Sequence, residues 1–232
     1  MVTAGTAHSG GRAAVVAAAP HPLPVDWPPE HWQVPQVSPG PAQLRPTGGG
    51  DVGDGIKPIF FEGAAYRGQA TSVFAFIGVP QNLTAGAAAC PGMVLLHGGG
   101  GTAMDVWVRE WTERGFAAIC FDQCGDMPAE SDAGDGAAHS RHERGGPPGW
   151  DASFGTTDDP VHDQWPFHAV AAALRAHSLL AAHPNVDSTR IGLTGISWGG
   201  FLTCIAQTRH DVVFTVSGLI MLHRRKSDAC AL

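Results

Sequence analysis

Apolar positions in this chain fall into short blocks whose spacing switches between strand and helix periods. Ile59 to Tyr66 and Thr71 to Val79 read as two strands separated by Arg67-Gly68, a hairpin. Gly92 to His97 is a compact apolar run that ends in glycines, as a buried strand would. Ala103 to Arg114 has helical spacing through Val106, Trp107, Val108 and Trp111, with Gly115 placed to stop it. Phe116 to Phe121 predicts another strand, ended by Asp122. Residues 123–160 show no period and read as a long loop. Asp163 to Ala182 is the best helix, with Val170, Leu174, His177 and Leu180 or Ala181 on one face and Pro184 beyond its end. Ile191 to Thr194 predicts a strand, Phe201 to Gln207 is compatible with a helix, and Val212 to Leu222 predicts one more strand, weakened by Gly218. Strands and helices that alternate in this way imply an α/β fold: a mostly parallel sheet with helices on both faces.

The first 55 residues differ in kind. Pro20, Pro22, Pro24, Pro28, Pro29, Pro35, Pro39, Pro41 and Pro46 interrupt every candidate element, and Gly48-Gly49-Gly50 and Gly53 close the segment. It is expected to be an extended, partly disordered arm over residues 1–55, pinned by Trp27, His31 and Trp32, ahead of a domain over residues 56–232. A length of 232 residues with 44% hydrophobic content allows one large α/β domain or two small ones. Abundant glycine (31) and proline (18) beside 15% charged residues indicate many loops. The formal charge of −7 argues against nucleic acid or an anionic membrane as a partner.

Cys90, Cys120, Cys124, Cys204 and Cys230 form no zinc pattern and read as ordinary thiols of a reducing compartment, so no metal or other cofactor is expected. The only signal-like piece, Ala13 to Ala19, is shorter and less apolar than a secretory signal, and no run reaches a membrane span. A cytoplasmic location is therefore expected, with a secreted one as the alternative.

The chemistry-bearing segment is Gly195-Ile196-Ser197-Trp198-Gly199, which lies between an apolar run and helix-compatible sequence. That context is what a nucleophile elbow requires: a sharp strand-to-helix bend that raises a serine hydroxyl at a helix N-terminus. Glycines two positions either side relieve the crowding such a bend creates. A second candidate is His97-Gly98-Gly99-Gly100-Gly101, a glycine run after a buried strand. Backbone N–H groups there and at Trp198 could hold the negative charge that acyl transfer puts on a carbonyl oxygen, at about 3 kcal/mol per donor. A flexible loop is the bland alternative for the glycine run alone. Asp187 and Arg190 read as a turn and strand-entry pair. Asp122 faces the edge where such sheets bind ligands, although a loop-fixing role suits it better. His139, His142, His162, His168, His177 and His183 lack metalloprotease spacing. Trp150 and Trp165 could line a pocket or anchor the long loop.

With its His-Gly-Gly-Gly loop and its elbow, the chain resembles the α/β-hydrolase superfamily. Val186 to Gly192 leading into the elbow is similar to the dienelactone hydrolase, acetyl xylan esterase and prolyl-oligopeptidase-type groups. The resemblance covers roughly residues 58–207. It implies a serine hydrolase acting on small carboxylic esters, with Ser197 as nucleophile and Gly98 or Gly99 and Trp198 forming the oxyanion hole. A peptidase of the prolyl-oligopeptidase type is the second enzymatic reading. In this superfamily the acid and histidine follow the serine on later strands. Two further strand–helix–strand steps need about 60 residues, and 35 follow Ser197. Asp211, Asp228, His210 and His223 are the candidates in that tail: His210 and Asp211 fall at the end of the elbow helix, away from Ser197, and His223, which heads Arg224-Arg225-Lys226, reads as a solvated end rather than as the base. The chain is therefore expected to be a hydrolase domain without its C-terminal strands: truncated, a fragment, or a non-catalytic remnant that binds without turnover. Impaired activity and self-association through an exposed sheet edge would follow.

Overall fold

The computed structural model describes residues 33–40, 55–81, 88–129, 138–149, 155–206 and 216–217. One seven-stranded sheet dominates. Its strands in chain order are β1 (Val37–Pro39), β2 (Lys57–Glu62), β3 (Ser72–Gly78), β4 (Cys90–Leu96), β5 (Ala117–Phe121), β8 (Val186–Gly195) and β9 (Val216–Ser217). Across the sheet the order is β1-β2-β3-β5-β4-β8-β9. The first three pairings are antiparallel, and β5, β4, β8 and β9 form a parallel block.

The parallel block is buried on both faces, which is why its strands read as continuous apolar runs rather than alternating ones. All five residues of β5 are buried. Along β4 the side chains divide between two cores. Met93 and Leu95 pack with Phe74, Phe76, Ala118 and Val108 of helix α1 (Asp105–Glu113). Val94 and Leu96 pack with Leu174 of α2 (Trp165–Ala181) and Leu202 of α3 (Trp198–Ala206). Helices thus cover both faces, as the pattern predicts: α1 on one, α2 and α3 on the other. None of the described helices is long and apolar enough to cross a membrane.

The hairpin forms at Arg67-Gly68. Tyr66 and Gln69 bridge across it, and both central residues have positive φ, 50° and 75°. That is the primed turn geometry hairpins favour. Arg67 accepts the strained conformation while its N–H donates to Asp163 Oδ1 at 2.8 Å.

Several boundaries differ from the sequence reading. The proline-rich arm, given no element, contributes β1, which extends the antiparallel side of the sheet. Pro39 is tolerated there because it ends an edge strand. The rest of the arm, with Trp27, His31 and Trp32, lies outside the described residues. Inside the stretch read as loop, β6 (Asp126–Pro128) and β7 (His139–Arg141) pair antiparallel as a small separate sheet. Three-residue strands carry too few positions to show a period. Strand β8 begins at Val186 rather than Ile191, because Val186 already pairs with Cys90 of β4, ahead of a register shift that precedes the Gly92–Ile191 pair. A short 3₁₀ turn (Val161–Asp163) precedes α2, which begins at Trp165 rather than Asp163. Helix α2 is also buried nearly all round, His168 and Arg175 included, and not along one face. Of the predicted Val212–Leu222 strand, only 216–217 are described.

Candidate active site

Strand β8 ends at Gly195; the Ile196 N–H still bonds Leu96 O of β4 at 3.1 Å, and then the chain turns abruptly. Ser197 takes φ +54°, a left-handed conformation that an L-residue adopts at a cost of about 1–2 kcal/mol. The turn closes with Gly199 N–H donating to Ile196 O at 2.9 Å and Phe201 N–H donating to Ser197 O at 3.1 Å. Helix α3 begins at the next residue, so the exposed Ser197 side chain stands at a helix N-terminus.

Close approach explains both flanking glycines. A Cβ on Gly195 would run into the carbonyl group of Gly199, and one on Gly199 would run into Leu96 O and the carbonyl of His97. Trp198 is half-buried. Its ring lies edge-on to Trp165 (centroids 5.7 Å apart) and to Phe201 (5.5 Å).

The glycine run sits beside the bend. A Cβ built on Gly98 would lie 3.5 Å from Ser197 Cβ, an ordinary contact, and 3.3 Å from Ile196 O, close enough that the elbow would have to give by a few tenths of an ångström. Gly101 N–H donates to Gly98 O at 3.3 Å, and Gly100 between them has φ +74°. Positive φ at the third position of a four-residue turn is what a type II turn demands of glycine. The structure therefore brings Gly98, Gly99, Ser197 and Trp198 to one end of the sheet, at the C-terminal ends of β4 and β8.

Beneath the loop lies a polar network that sequence reasoning missed. His97 is 1% exposed. Its Nδ1–H donates to Gly98 O at 2.7 Å, and its Nε2 accepts from Gln123 N–H at 3.1 Å. A carbonyl can only accept and a backbone N–H can only donate, so the ring is the neutral Nδ1–H tautomer. Burial, the largest influence, pushes its pKa below the usual histidine value, against the raising effect of Asp122.

Gln123 reaches back a second time, Nε2–H to His97 O at 3.1 Å, and its own carbonyl accepts from Trp165 Nε1–H at 2.7 Å. Trp165 thus anchors the loop after β5, one of the two roles its position allowed.

Asp122 fixes the same loop. Its Oδ1 accepts from Cys124 N–H at 2.7 Å and Asp126 N–H at 2.8 Å, the loop-fixing role expected of it. Burial raises its carboxyl pKa, opposed by the nearby His97 and by these two donors. Burial also pushes the Cys120 and Cys124 thiols up to about 12, so neither is a thiolate nucleophile.

The remaining candidates are structural. Thr189 and Arg190 both bond the Asp187 carboxylate, Arg190 Nε at 2.6 Å, while Arg190 Nη2 donates to Ala89 O at 2.8 Å, tying the start of β8 to the start of β4. His139 Nδ1 lies 2.7 Å from Asp126 Oδ2 within the small sheet, His142 packs on Phe60, and His168 packs on Tyr66. His162 Nε2 is 3.8 Å from Asp163 Oδ2, and His183 Nδ1 accepts from Asn185 N–H at 3.2 Å. No histidine or carboxylate among the described residues bonds the Ser197 hydroxyl, and none of their His, Cys, Asp and Glu side chains group in threes fit for a metal ion. His210, Asp211, His223, Asp228 and Trp150 lie outside the described residues.

The chain matches no protein-family model and no curated protein sequence. It does resemble solved structures. Acetyl xylan esterase 1 from a Thermoanaerobacterium species superposes with a TM-score of 0.50 at 16% identity, over 76% of this chain and 52% of that one. An acetyl xylan esterase from a Paenibacillus species gives 0.49 at 20% identity, over 74% and 48%. A dienelactone hydrolase-like promiscuous phosphotriesterase from metagenomic libraries gives 0.45 at 19%, over 72% and 61%. The chain spans about half the length of the two esterases. Its sheet order and helix placement, with the first of these likenesses, make the fold that of an α/β-hydrolase.

Proposed function

We propose that this chain, with its α/β-hydrolase fold, supplies the nucleophile and oxyanion-binding part of a serine hydrolase that acts on small carboxylic esters. The observation that carries the reading is the left-handed Ser197, at the head of α3 and in van der Waals reach of the Gly98 position. Ser197 Oγ attacks the acyl carbonyl. The N–H groups of Trp198 and of Gly98 or Gly99 receive the charge that develops on oxygen, each donor contributing about 3 kcal/mol in the transition state. The α3 N-terminus adds a favourable potential for the same charge. A serine hydroxyl also needs a base to take its proton, and His210 and His223 are the histidines that follow Ser197 in sequence.

A fluorophosphonate probe tests the assignment. Labelling of the folded chain that disappears in Ser197→Ala supports an activated nucleophile. A folded chain that resists the probe favours a protein that keeps the pocket without turnover. Hydrolysis of 4-nitrophenyl acetate but not of peptide anilides separates the esterase from the peptidase reading.

A further inference from the structure

The glycine loop contains two peptide groups whose orientation decides whether it can hold an anion, and both are tied back by their carbonyls. In the 97–98 peptide, His97 O accepts from Gln123 Nε2–H. In the 98–99 peptide, Gly98 O accepts from His97 Nδ1–H and from Gly101 N–H. A planar trans peptide points its N–H opposite to its C=O. Tying the two carbonyls inward therefore turns the N–H groups of Gly98 and Gly99 away from the buried network. Glycine imposes no such orientation by itself, because its backbone is the most permissive.

Both ties lead to one residue. Gln123 bonds His97 O with its side chain. With its backbone N–H it occupies His97 Nε2, which leaves the ring proton on Nδ1, where Gly98 O needs it. Trp165 Nε1–H in turn holds the Gln123 carbonyl. Gln123 is 5% exposed and Trp165 2%, so water does not substitute freely for these bonds.

We propose that Gln123, braced by Trp165, is a positioning residue that sets the Gly98 and Gly99 N–H groups as paired oxyanion donors. The proposal rests on the reading of Ser197 as nucleophile. Its test separates the two.

Phenylboronic acid forms a tetrahedral adduct with an activated serine, read on the full chain by boron NMR, and Ser197→Ala abolishes it if the nucleophile reading holds. Gln123→Met keeps the backbone N–H and removes only the side-chain donor. Trp165→Phe keeps an aromatic ring and removes Nε1–H together with part of the buried indole. Each is expected to weaken the adduct about tenfold and to lower kcat for 4-nitrophenyl acetate while leaving KM unchanged. A merely structural role would not produce that split.

In parallel, the Gly98 and Gly99 amide resonances of the nitrogen-15-labelled chain are expected to shift or broaden in both variants. This readout needs no chemistry at Ser197. Unmoved amide resonances in folded variants overturn the positioning role, whatever the adduct does. Moved amides with undiminished adduct affinity overturn the oxyanion assignment. Moved amides in a chain that forms no adduct keep the orienting role of Gln123 and sink the nucleophile reading instead.

Discussion

Two bends meet at Ser197, and they are held in opposite ways. The elbow at 195–199 is fixed by its own sequence: glycines stand where any side chain would strike backbone, and the turn closes on hydrogen bonds among its own residues. The loop at 97–101 carries less steric instruction of its own: it closes on Gly101 N–H to Gly98 O, and only Gly98 approaches the elbow tightly. A Cβ on Gly100 would meet nothing within 4 Å. Its shape is imposed from Gln123, 26 positions away, and from Trp165, 42 positions beyond Gln123. A crowded bend dictates itself, whereas an open one has to be held.

The strongest test of this difference is the pair Gly195→Ala and Gly100→Ala. At Gly195 the new methyl overlaps the backbone of Gly199, which no rotamer change relieves. A loss above about 4 kcal/mol is expected, seen as a collapse of the urea midpoint or of soluble expression. Near-wild-type stability would mean the strand-to-helix crossing is looser than described, and the distinction between the bends would fail.

That asymmetry also explains how much could be read from the sequence. The elbow was legible because its requirements lie within five consecutive residues, and the buried strands β4 and β5 because continuous apolar runs announce them. The glycine run was legible as a candidate but its conformation was not. Nothing at Gln123 signals a contact to His97, since the pairing exists only once β4 and β5 lie side by side. The near-complete burial of α2 was invisible for a related reason. Its small alanines let the helix sit close to both the sheet and α3, so positions off the Val170–Leu174 face are buried as well. The edge strand β1 and the β6–β7 pair were missed because three residues cannot display a period. In the sequence His97 marks only the end of a strand, and its role as a ring donor depends on a tautomer that only its neighbours set.

Acid provides the next largest effect, on the α2 side of the sheet. Burial lowers the pKa of His177 to about 4. In the unfolded chain a histidine takes up a proton near pH 6.5. Between those values the unfolded state binds more protons, so acid destabilises the fold; above pH 6.5 both states are neutral and nothing changes. Removing this group by His177→Phe should recover on the order of 1–3 kcal/mol of the stability otherwise lost between pH 6.5 and 4. Urea unfolding of both proteins at pH 7.5 and 4.5 measures it. An unaltered difference between the two pH values would show that His177 is solvated in the folded chain. His97, His142 and His183 are lowered by burial in the same direction, so the variant keeps part of the acid sensitivity.

Gly100→Ala, the milder half of the pair, comes next. The site is open, so only the positive φ opposes a methyl group. The expected cost is about 1–2 kcal/mol, a fall in Tm of a few degrees. An effect as severe as at Gly195 would mean that the loop carries its own steric instruction after all.

The smallest effect belongs to the start of β8, where Asp187 makes a third kind of turn, at the surface and partly exposed. Its carboxyl is held down at about 2 by the Thr189 and Arg190 side chains and by Thr189 N–H. A depressed carboxyl contributes stability above its ordinary pKa and loses it as the pH falls toward 2. Solvent screens such a surface pair heavily, and most measured examples contribute little. Asp187→Asn should therefore leave the Tm at pH 7 nearly unchanged and leave labelling of Ser197 untouched. A substantial loss of labelling without unfolding would tie this turn to the elbow through β8, and would mean that the elbow is held from a distance just as the glycine loop is.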